Sequence, residues 1–297
     1  MDYRHLQAFL VLSEELHFGH AAQRLNIAQP ALSQQMKQLE QAVGMALFVR
    51  DKRNVALTWE GRQLIAQATL AVSHFDRFRE HASTLRQGRQ GHLRLGYVGS
   101  SILEPGLPLL INGYRQANPA TEIAIEEHNV DAQLTRLRDD RLDVALIRSP
   151  LPKYDELEYL DLVTRPLIAV LPTRHPLAGQ QCLSLSALSG ETFMIQEDPP
   201  GVGLGWSVLS ACHRAGFTPG KLQIMRDVSV AMGLVAMDAG ITVVPETQRS
   251  VLLPDVSFCR LDDALATTTL TLAWQRRRYH RTVKSFINYV RSVADKI

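Results

Sequence analysis

The run FGHAAQRLNIAQPALSQQMKQLEQAV, residues 18–43, decides how the N-terminal end of this chain folds. Ala21, Ala22 and Leu25 form a short apolar stripe at helical spacing, and Ala31, Leu32, Met36, Leu39 and Val43 form a longer one. Between them lies Asn26-Ile27-Ala28-Gln29-Pro30. Asn tolerates a turn, and Pro30 suits the first turn of a helix, where its missing N–H costs nothing. Gly44 supplies the stop. Helix, tight turn and second helix predict a helix-turn-helix, whose second helix lies in the DNA major groove with its N-terminal residues against base edges. Those residues are Gln29, Pro30, Ser33 and Gln34. Gln can bond adenine in a bidentate way, Ser serves either kind of edge, and Pro30 offers apolar contact to a thymine methyl. Lys37, one turn on, can reach a phosphate. Two packed helices with a polar outer face also occur without any such role, and the pattern alone leaves both readings open.

Outward from this segment, Leu6, Phe9, Leu10 and Leu12 predict an earlier helix. Downstream, Leu47–Arg50 and Asn54–Thr58 are β-prone pieces around Asp51-Lys52-Arg53, the pattern of a small hairpin or wing. Arg50 and Arg53 can touch phosphates or probe a narrow minor groove, or be plain solvated surface. Thr58 can cap the next helix, with Glu60 in its first turn. From Leu57 the apolar positions Leu57, Gly61, Leu64, Ala68, Ala71, Phe75, Phe78, Ala82 and Leu85 step alternately by four and three. Such a heptad fits a helix packed on its own domain or a helix pairing with a second copy. The stripe's length favours the second, because little chain lies beside it to cover the seam. Gln87-Gly88-Arg89-Gln90-Gly91 then breaks the helix and reads as a hinge.

After Gly91 the period changes. Strand-like runs at Leu93–Val98, Glu122–Glu126, Val144–Arg148, Leu167–Leu171, Thr192–Ile195, Leu222–Met225, Ile241–Val244 and Leu270–Trp274 alternate with helical stretches such as Leu107–Ala117 and Val230–Ala239. This alternation predicts α/β layers with largely parallel sheets. Ligands of such sheets sit beyond the carboxyl ends of strands, and helix N-termini favour anions. Ser100 and Ser101, His128 and Asn129, Arg148, and Asp227-Val228-Ser229 all fall at such ends. The serines can instead be helix caps, His128 can be plain surface, and Arg148 can pair with a neighbouring acid rather than a ligand carboxylate. The Gly- and Pro-rich loop Asp198–Gly205, with Gly203, reads as a pocket rim. Hydroxyl and N–H donors there suit a small carboxylate better than a cation.

Composition limits the alternatives. A chain of 297 residues with 45% apolar and 21% charged residues is long enough for two or three buried cores. The net charge of +2 identifies no nucleic-acid binder by itself, although residues 1–90 hold eleven Lys/Arg against eight Asp/Glu. The three cysteines, Cys182, Cys212 and Cys259, are far apart and suggest neither disulfide framework nor zinc site. No apolar run is long enough to span a bilayer and the first residues lack a signal-peptide layout, so a cytoplasmic protein is expected. No nucleophile elbow, phosphate loop or paired-histidine metal motif appears, so neither catalysis nor a cofactor is expected. The rival readings are an α/β enzyme or a solute-binding protein, either carrying an N-terminal helical dimerisation module.

Leu6-Gln7-Ala8-Phe9, the runs Phe18–Leu25 and Gln29–Glu40, Gly44–Arg50 and Leu57-Thr58-Trp59-Glu60-Gly61 together resemble the LysR-type transcriptional regulators in order and spacing. The resemblance extends along the whole chain. It implies a winged helix-turn-helix over 1–57, a dimerising linker helix over 58–87, a hinge at 88–91, and an effector-binding domain over 92–297. That domain would resemble type 2 periplasmic binding proteins, with α/β subdomains formed by 92–161 plus 268–297 and by 162–267. The resemblance also implies a homodimer or homotetramer on double-stranded promoter DNA, RNA polymerase as a partner, and a small-molecule effector. His175-Pro176-Leu177-Ala178, Gly233–Ala236 and Ile241–Pro245 are similar to the subgroup controlling degradation of aromatic compounds, whose effectors are small carboxylates or aromatic acids. Two departures stand out. Gln34 occupies a position where many relatives carry Arg, and His128-Asn129 replace a Thr hydroxyl common in that subgroup's pocket.

Overall fold

The computed structural model describes residues 1–50, 55–86, 91–277 and 280–294, and the chain divides into two compact units, Met1–Gly88 and Arg89–Ile297. In the first unit, α1 (Tyr3–Glu15), α2 (Phe18–Arg24) and α3 (Gln29–Val43) are followed by β1 (Phe48–Arg50), β2 (Val55–Leu57) and α4 (Trp59–Arg86). Their core is Phe9 and Leu12 of α1, Ala21 and Ala22 of α2, Leu32, Met36 and Leu39 of α3, and Leu47 and Phe48 beyond them. These are the apolar stripes of the sequence closing on one another. The turn between α2 and α3 is a backbone device. Asn26 takes a left-handed φ of 54°, its N–H donates to the Gln23 carbonyl, and the Ile27 N–H donates to the Ala22 carbonyl, both at 3.0 Å.

β1 and β2 pair antiparallel, Phe48 opposite Leu57 and Arg50 opposite Val55. Glu40 ties this ribbon to α3, since its Oε1 accepts from the N–H groups of Leu47 and Phe48 at 2.9 and 3.2 Å. Thr58 caps α4 by accepting from the Gly61 N–H at 2.9 Å. Gly61 has no alternative, because a Cβ there would run into the Leu47 carbonyl.

The heptad stripe of α4 serves two ends. Leu57, Leu64 and Ala68 pack into the first unit's own core. Ala71, Phe75, Phe78 and Ala82 stay exposed, Phe75 at 44% and Phe78 at 70%. Tyr3 stacks on Phe75 at 4.6 Å between ring centroids and donates its hydroxyl to Asp76 at 2.9 Å, which holds α4 along α1. Of the stripe expected over Leu57–Leu85, the described part is thus covered up to Ala68 and exposed from Ala71 to Ala82, while the Leu85 side chain lies outside the described residues.

The second unit contains β3 (Gly91–Tyr97), α5 (Gly106–Ala117), β4 (Thr121–Glu127), α6 (Val130–Arg138), β5 (Val144–Arg148) and β6 (Leu157–Pro172). It continues through β7 (Cys182–Leu183), β8 (Thr192–Gln196), α7 (Gly203–Arg214), β9 (Lys221–Met225), α8 (Val228–Ala236), β10 (Ile241–Pro245), β11 (Val256–Leu261), β12 (Thr267–Gln275) and α9 (Arg281–Val293). The strand path is β4-β3-β5-β12-β6-β10-β8-β9, with β11 and then β7 joined to β6. The triplets β4-β3-β5 and β10-β8-β9 are parallel, as the α/β alternation predicts. β12 and β6 run antiparallel to their neighbours, which corrects the expectation of largely parallel sheets.

These two long strands join two halves with separate cores. One holds Leu167–Leu171 with Phe193, Met194, Val208, Met232 and Val235. The other lies on both faces of β5: Val144 and Leu146 pack under α5 and α9, while Ala145 and Ile147 pack under α6. Sequence reading saw only Leu167–Leu171 of β6. The strand starts ten residues earlier, in a stretch interrupted by Asp161, Arg165 and Pro166 that carries no clean alternation.

Candidate functional site

In the first unit, Gln29, Pro30, Gln34 and Lys37 are exposed on one side of α3 and Ser33 is half-buried, while Leu32, Met36 and Leu39 face the core. Ala28 precedes the helix without a side-chain cap; its carbonyl takes the N–H groups of Ala31 and Leu32 at 3.0 and 3.2 Å, and Pro30 carries none, which leaves the Gln29 N–H at the helix start. The start of α3 thus presents side-chain amides, a hydroxyl and the Gln29 N–H together, with a cation one turn on. Of the two arginines assigned to the wing, Arg50 ends β1, while its side chain and all of Arg53 lie outside the described residues. The hinge expected at 88–91 does too, apart from Gly91, which opens β3.

In the second unit a cavity of about 390 Å³ opens between the two halves at the carboxyl ends of their strands. Gly99, Glu127, His128 and Asn129 line it from one half, and Gln196, Glu197, Arg226 and Asp227 from the other. Two of the predicted effector residues are in this wall. His128 bonds Glu126 through Nε2 at 2.8 Å, and Asn129 caps α6 by accepting from the Ala132 N–H at 2.9 Å.

Ser100 follows Gly99 in one short helical turn, and neither it nor Arg148 is in the cavity wall. Both are buried, and the Arg148 Nη2 donates to the Ser100 carbonyl at 3.0 Å and pairs with Glu104 at 3.4 Å. Glu104, also buried, pairs with Arg165 as well, so two guanidinium groups face one carboxylate. Burial lowers the pKa of Arg148 to about 10 against the opposing pull of Glu104, and the side chain stays cationic at neutral pH. The Ser100 Oγ and the Arg148 Nε and Nη1 are buried with no hydrogen-bond partner. A buried cationic side chain with two spare donors is chemically ready for an anion.

Three other predicted residues have internal work. The Ser101 hydroxyl donates to the Val98 carbonyl at 2.7 Å and closes its own turn, the capping alternative for this pair. Val228 is a core residue of α8, and the residue before it, Asp227, is the one that reaches the cavity. Gly203 has a φ of +77°, donates its N–H to the Pro150 carbonyl at 2.8 Å, and leaves no space for a Cβ beside the Asp198 carboxylate. That carboxylate accepts from the Gly205 N–H at 2.9 Å, yet burial still pushes its pKa up to about 6. None of the three is in the cavity wall, because each side chain or backbone turn is consumed by the fold.

Gln196, Glu197 and Arg226 are not among the residues singled out from the sequence. The rule that ligands gather at strand ends applies equally to β8 and β9, and applied there it selects these residues. Among the described residues no cluster of His, Cys, Asp or Glu can hold a metal, and no helix is long and apolar enough to cross a membrane.

The LysR substrate binding domain matches residues 86–295, and the bacterial regulatory helix-turn-helix protein of the lysR family matches residues 3–62. The HTH-type transcriptional regulator AlsR of Bacillus subtilis (strain 168) is 32% identical, over 97% of this chain and 95% of its own. The HTH-type transcriptional regulator BenM of Acinetobacter baylyi is 30% identical, over 99% and 96%. Among solved structures, CbnR, a LysR family transcriptional regulator, superposes with a TM-score of 0.78 at 21% identity, covering 99% of each chain. The BenM effector binding domain with its effector benzoate matches with a TM-score of 0.60 at 26% identity, covering 70% of this chain and 94% of that one.

Proposed function

The chain belongs to the LysR family of transcriptional regulators, and from that premise we propose how it reads DNA and what it senses. It is a DNA-binding regulator with an effector-binding domain, not an enzyme. α3 enters the major groove, with Gln29, Pro30, Ser33 and Gln34 at base edges and Lys37, Arg50 and Arg53 on the backbone. Residues 1–57 form the DNA-reading module, 58–87 the linker helix and 88–91 the hinge. The exposed end of the α4 stripe is covered by a second copy, and dimers assemble into a homotetramer on promoter DNA in the cytoplasm, where RNA polymerase is the downstream partner.

The effector binds between the halves of 92–297 and carries a carboxylate. The observation that carries this reading is the buried donor set at Ser100 and Arg148, which has no acceptor for the Ser100 Oγ or for Nε and Nη1 of Arg148. His128 and Asn129 line the cavity whose wall includes Gly99, the residue before Ser100. Unequal affinity for open and closed states lets a ligand bias the regulator, and a coupling of about 1–3 kcal/mol suffices.

Mobility shift of the DNA upstream of the protein's own gene, with the full chain, tests the DNA half. A specific band weakened by Gln34→Ala supports it, and equal retardation of an unrelated fragment overturns it. Calorimetry of the full chain with small aromatic and aliphatic acids tests the sensing half. A confirmed effector whose affinity ignores Ser100→Ala places the pocket elsewhere.

A further inference from the structure

The walls of the cleft mouth are not those of a site for a simple acid. Glu127 ends β4 in one half, and Asp227 caps α8 in the other. Both carboxylates converge on Gly99: a methyl group there would overlap the Asp227 Oδ2 and sit 3.0 Å from the Glu127 Oε1. Asp227 uses its Oδ1 to accept from the Ser229 N–H at 2.6 Å, which leaves Oδ2 directed at this point. Among the described residues, no lysine, arginine or histidine forms an ion pair with Glu127, Glu197 or Asp227. Among the described residues Arg226 is the one Lys or Arg lining the cavity, and His128 is engaged by Glu126, so three carboxylates face one guanidinium.

A second observation is independent of these charges. Gln196 lines the same cavity, is only 8% exposed, and its Oε1 has no hydrogen-bond partner. An unmet acceptor beside two carboxylates that have no cationic partner calls for a positively charged donor, and a carboxylic acid anion supplies none. The Tyr97 phenol senses the same field, since burial, then the charges of Glu127 and Asp227, and then its hydrogen bond to Glu127 raise its pKa.

We propose that the effector is a zwitterion of the amino-acid type, whose protonated amine is held between Glu127 and Asp227 while its carboxylate meets Ser100 and Arg148. This rests on the reading of the cleft as the effector site and names the class of ligand it takes. The two poles meet along one short segment, with the acidic pair of β4 and α8 against Gly99 and the donor set beginning at Ser100. An ammonium bridging the two carboxylates also supplies a reason for closure. It relieves their mutual repulsion only when the two halves are together, so the ligand binds the closed state better.

The test is calorimetry of the full chain with matched pairs that differ only in the amine: L-phenylalanine against 3-phenylpropionate, L-leucine against 4-methylpentanoate, and L-alanine against propionate, with benzoate alongside. At least one amino acid binds, roughly 10- to 100-fold more tightly than its deaminated partner, the range of a hydrogen-bonded charge. Glu127→Gln and Asp227→Asn erase that preference. Asn preserves the cap on α8, and an unchanged unfolding midpoint checks that both variants fold. Benzoate or a deaminated acid binding at least as well as every amino acid overturns the inference, as does a panel in which no amino acid binds. If Ser100→Ala weakens a bound acid while Glu127→Gln and Asp227→Asn do not, the cleft stands and the zwitterion falls. If none of the three variants affects a confirmed ligand, both readings fall.

Discussion

Substituting Phe78 by Glu separates the two jobs of α4. A phenylalanine side chain offers roughly 150–250 Å² of surface, so at 70% exposure Phe78 leaves on the order of 140 Å² uncovered, and Phe75 at 44% about 90 Å². At about 25 cal/mol per Å², covering them is worth about 3.5 and about 2 kcal/mol, or on the order of 11 kcal/mol for both residues in two copies. Association itself costs about 4–15 kcal/mol, so the seam has little surplus. Phe78→Glu removes about 7 kcal/mol of that burial across the pair and adds two carboxylates to be desolvated. Self-association should weaken by at least about 1000-fold, which equals about 4 kcal/mol. Sedimentation equilibrium across a dilution series reads the change, and thermal unfolding of the variant should stay near wild type because Phe78 contributes nothing to the first unit's core. Leu64→Glu, by contrast, should unfold that unit, since Leu64 packs against its core. An unchanged oligomer in Phe78→Glu, together with an unchanged unfolding midpoint, would refute the assignment of the exposed stripe to a second copy.

Other outcomes follow from the same geometry. Ser33→Ala and Gln34→Ala should each cost about 1–3 kcal/mol of operator binding with non-specific binding nearly unaltered, whereas Lys37→Ala should weaken all DNA alike and reduce the salt slope by about 1, both read from titrations at several salt concentrations. Gly61→Ala should destabilise the first unit by about 1–3 kcal/mol in denaturant unfolding, because its Cβ meets the Leu47 backbone rather than a movable side chain. Asp198 has a folded pKa raised to about 6, so between about pH 4 and 6 the native state binds more protons than the unfolded chain. Wild-type stability should fall as pH rises through that window. Asp198→Asn keeps the acceptor for Gly205 and should gain about 2–3 kcal/mol at pH 8 but almost nothing near pH 4, as denaturant melts at the two pH values would report.

What the sequence determined by itself was whatever local spacing controls. The helix-turn-helix was legible because its helices, its Asn26 turn and its Gly44 stop each depend on a few adjacent residues, and the cap at Thr58 on three. The parallel strands were legible for the same reason, as short apolar runs between helices. What only the tertiary structure decided was everything set by partners distant in sequence. Leu64 and Phe78 hold the same position of one heptad stripe, but the neighbouring helices cover only the first. Ser100 and Ser101 are adjacent and chemically identical, yet the carbonyl of Val98 takes one hydroxyl and leaves the other unpaired. Arg148 looked equally ready for a ligand or for an acid, and Glu104, on a different segment, gave it the acid while leaving two of its donors free. The acidic mouth of the cleft was invisible because Glu127 and Asp227 are a hundred residues apart. They meet only where β12 and β6 carry the chain between the two halves, and long-range pairing of that kind leaves no periodicity in the sequence to read.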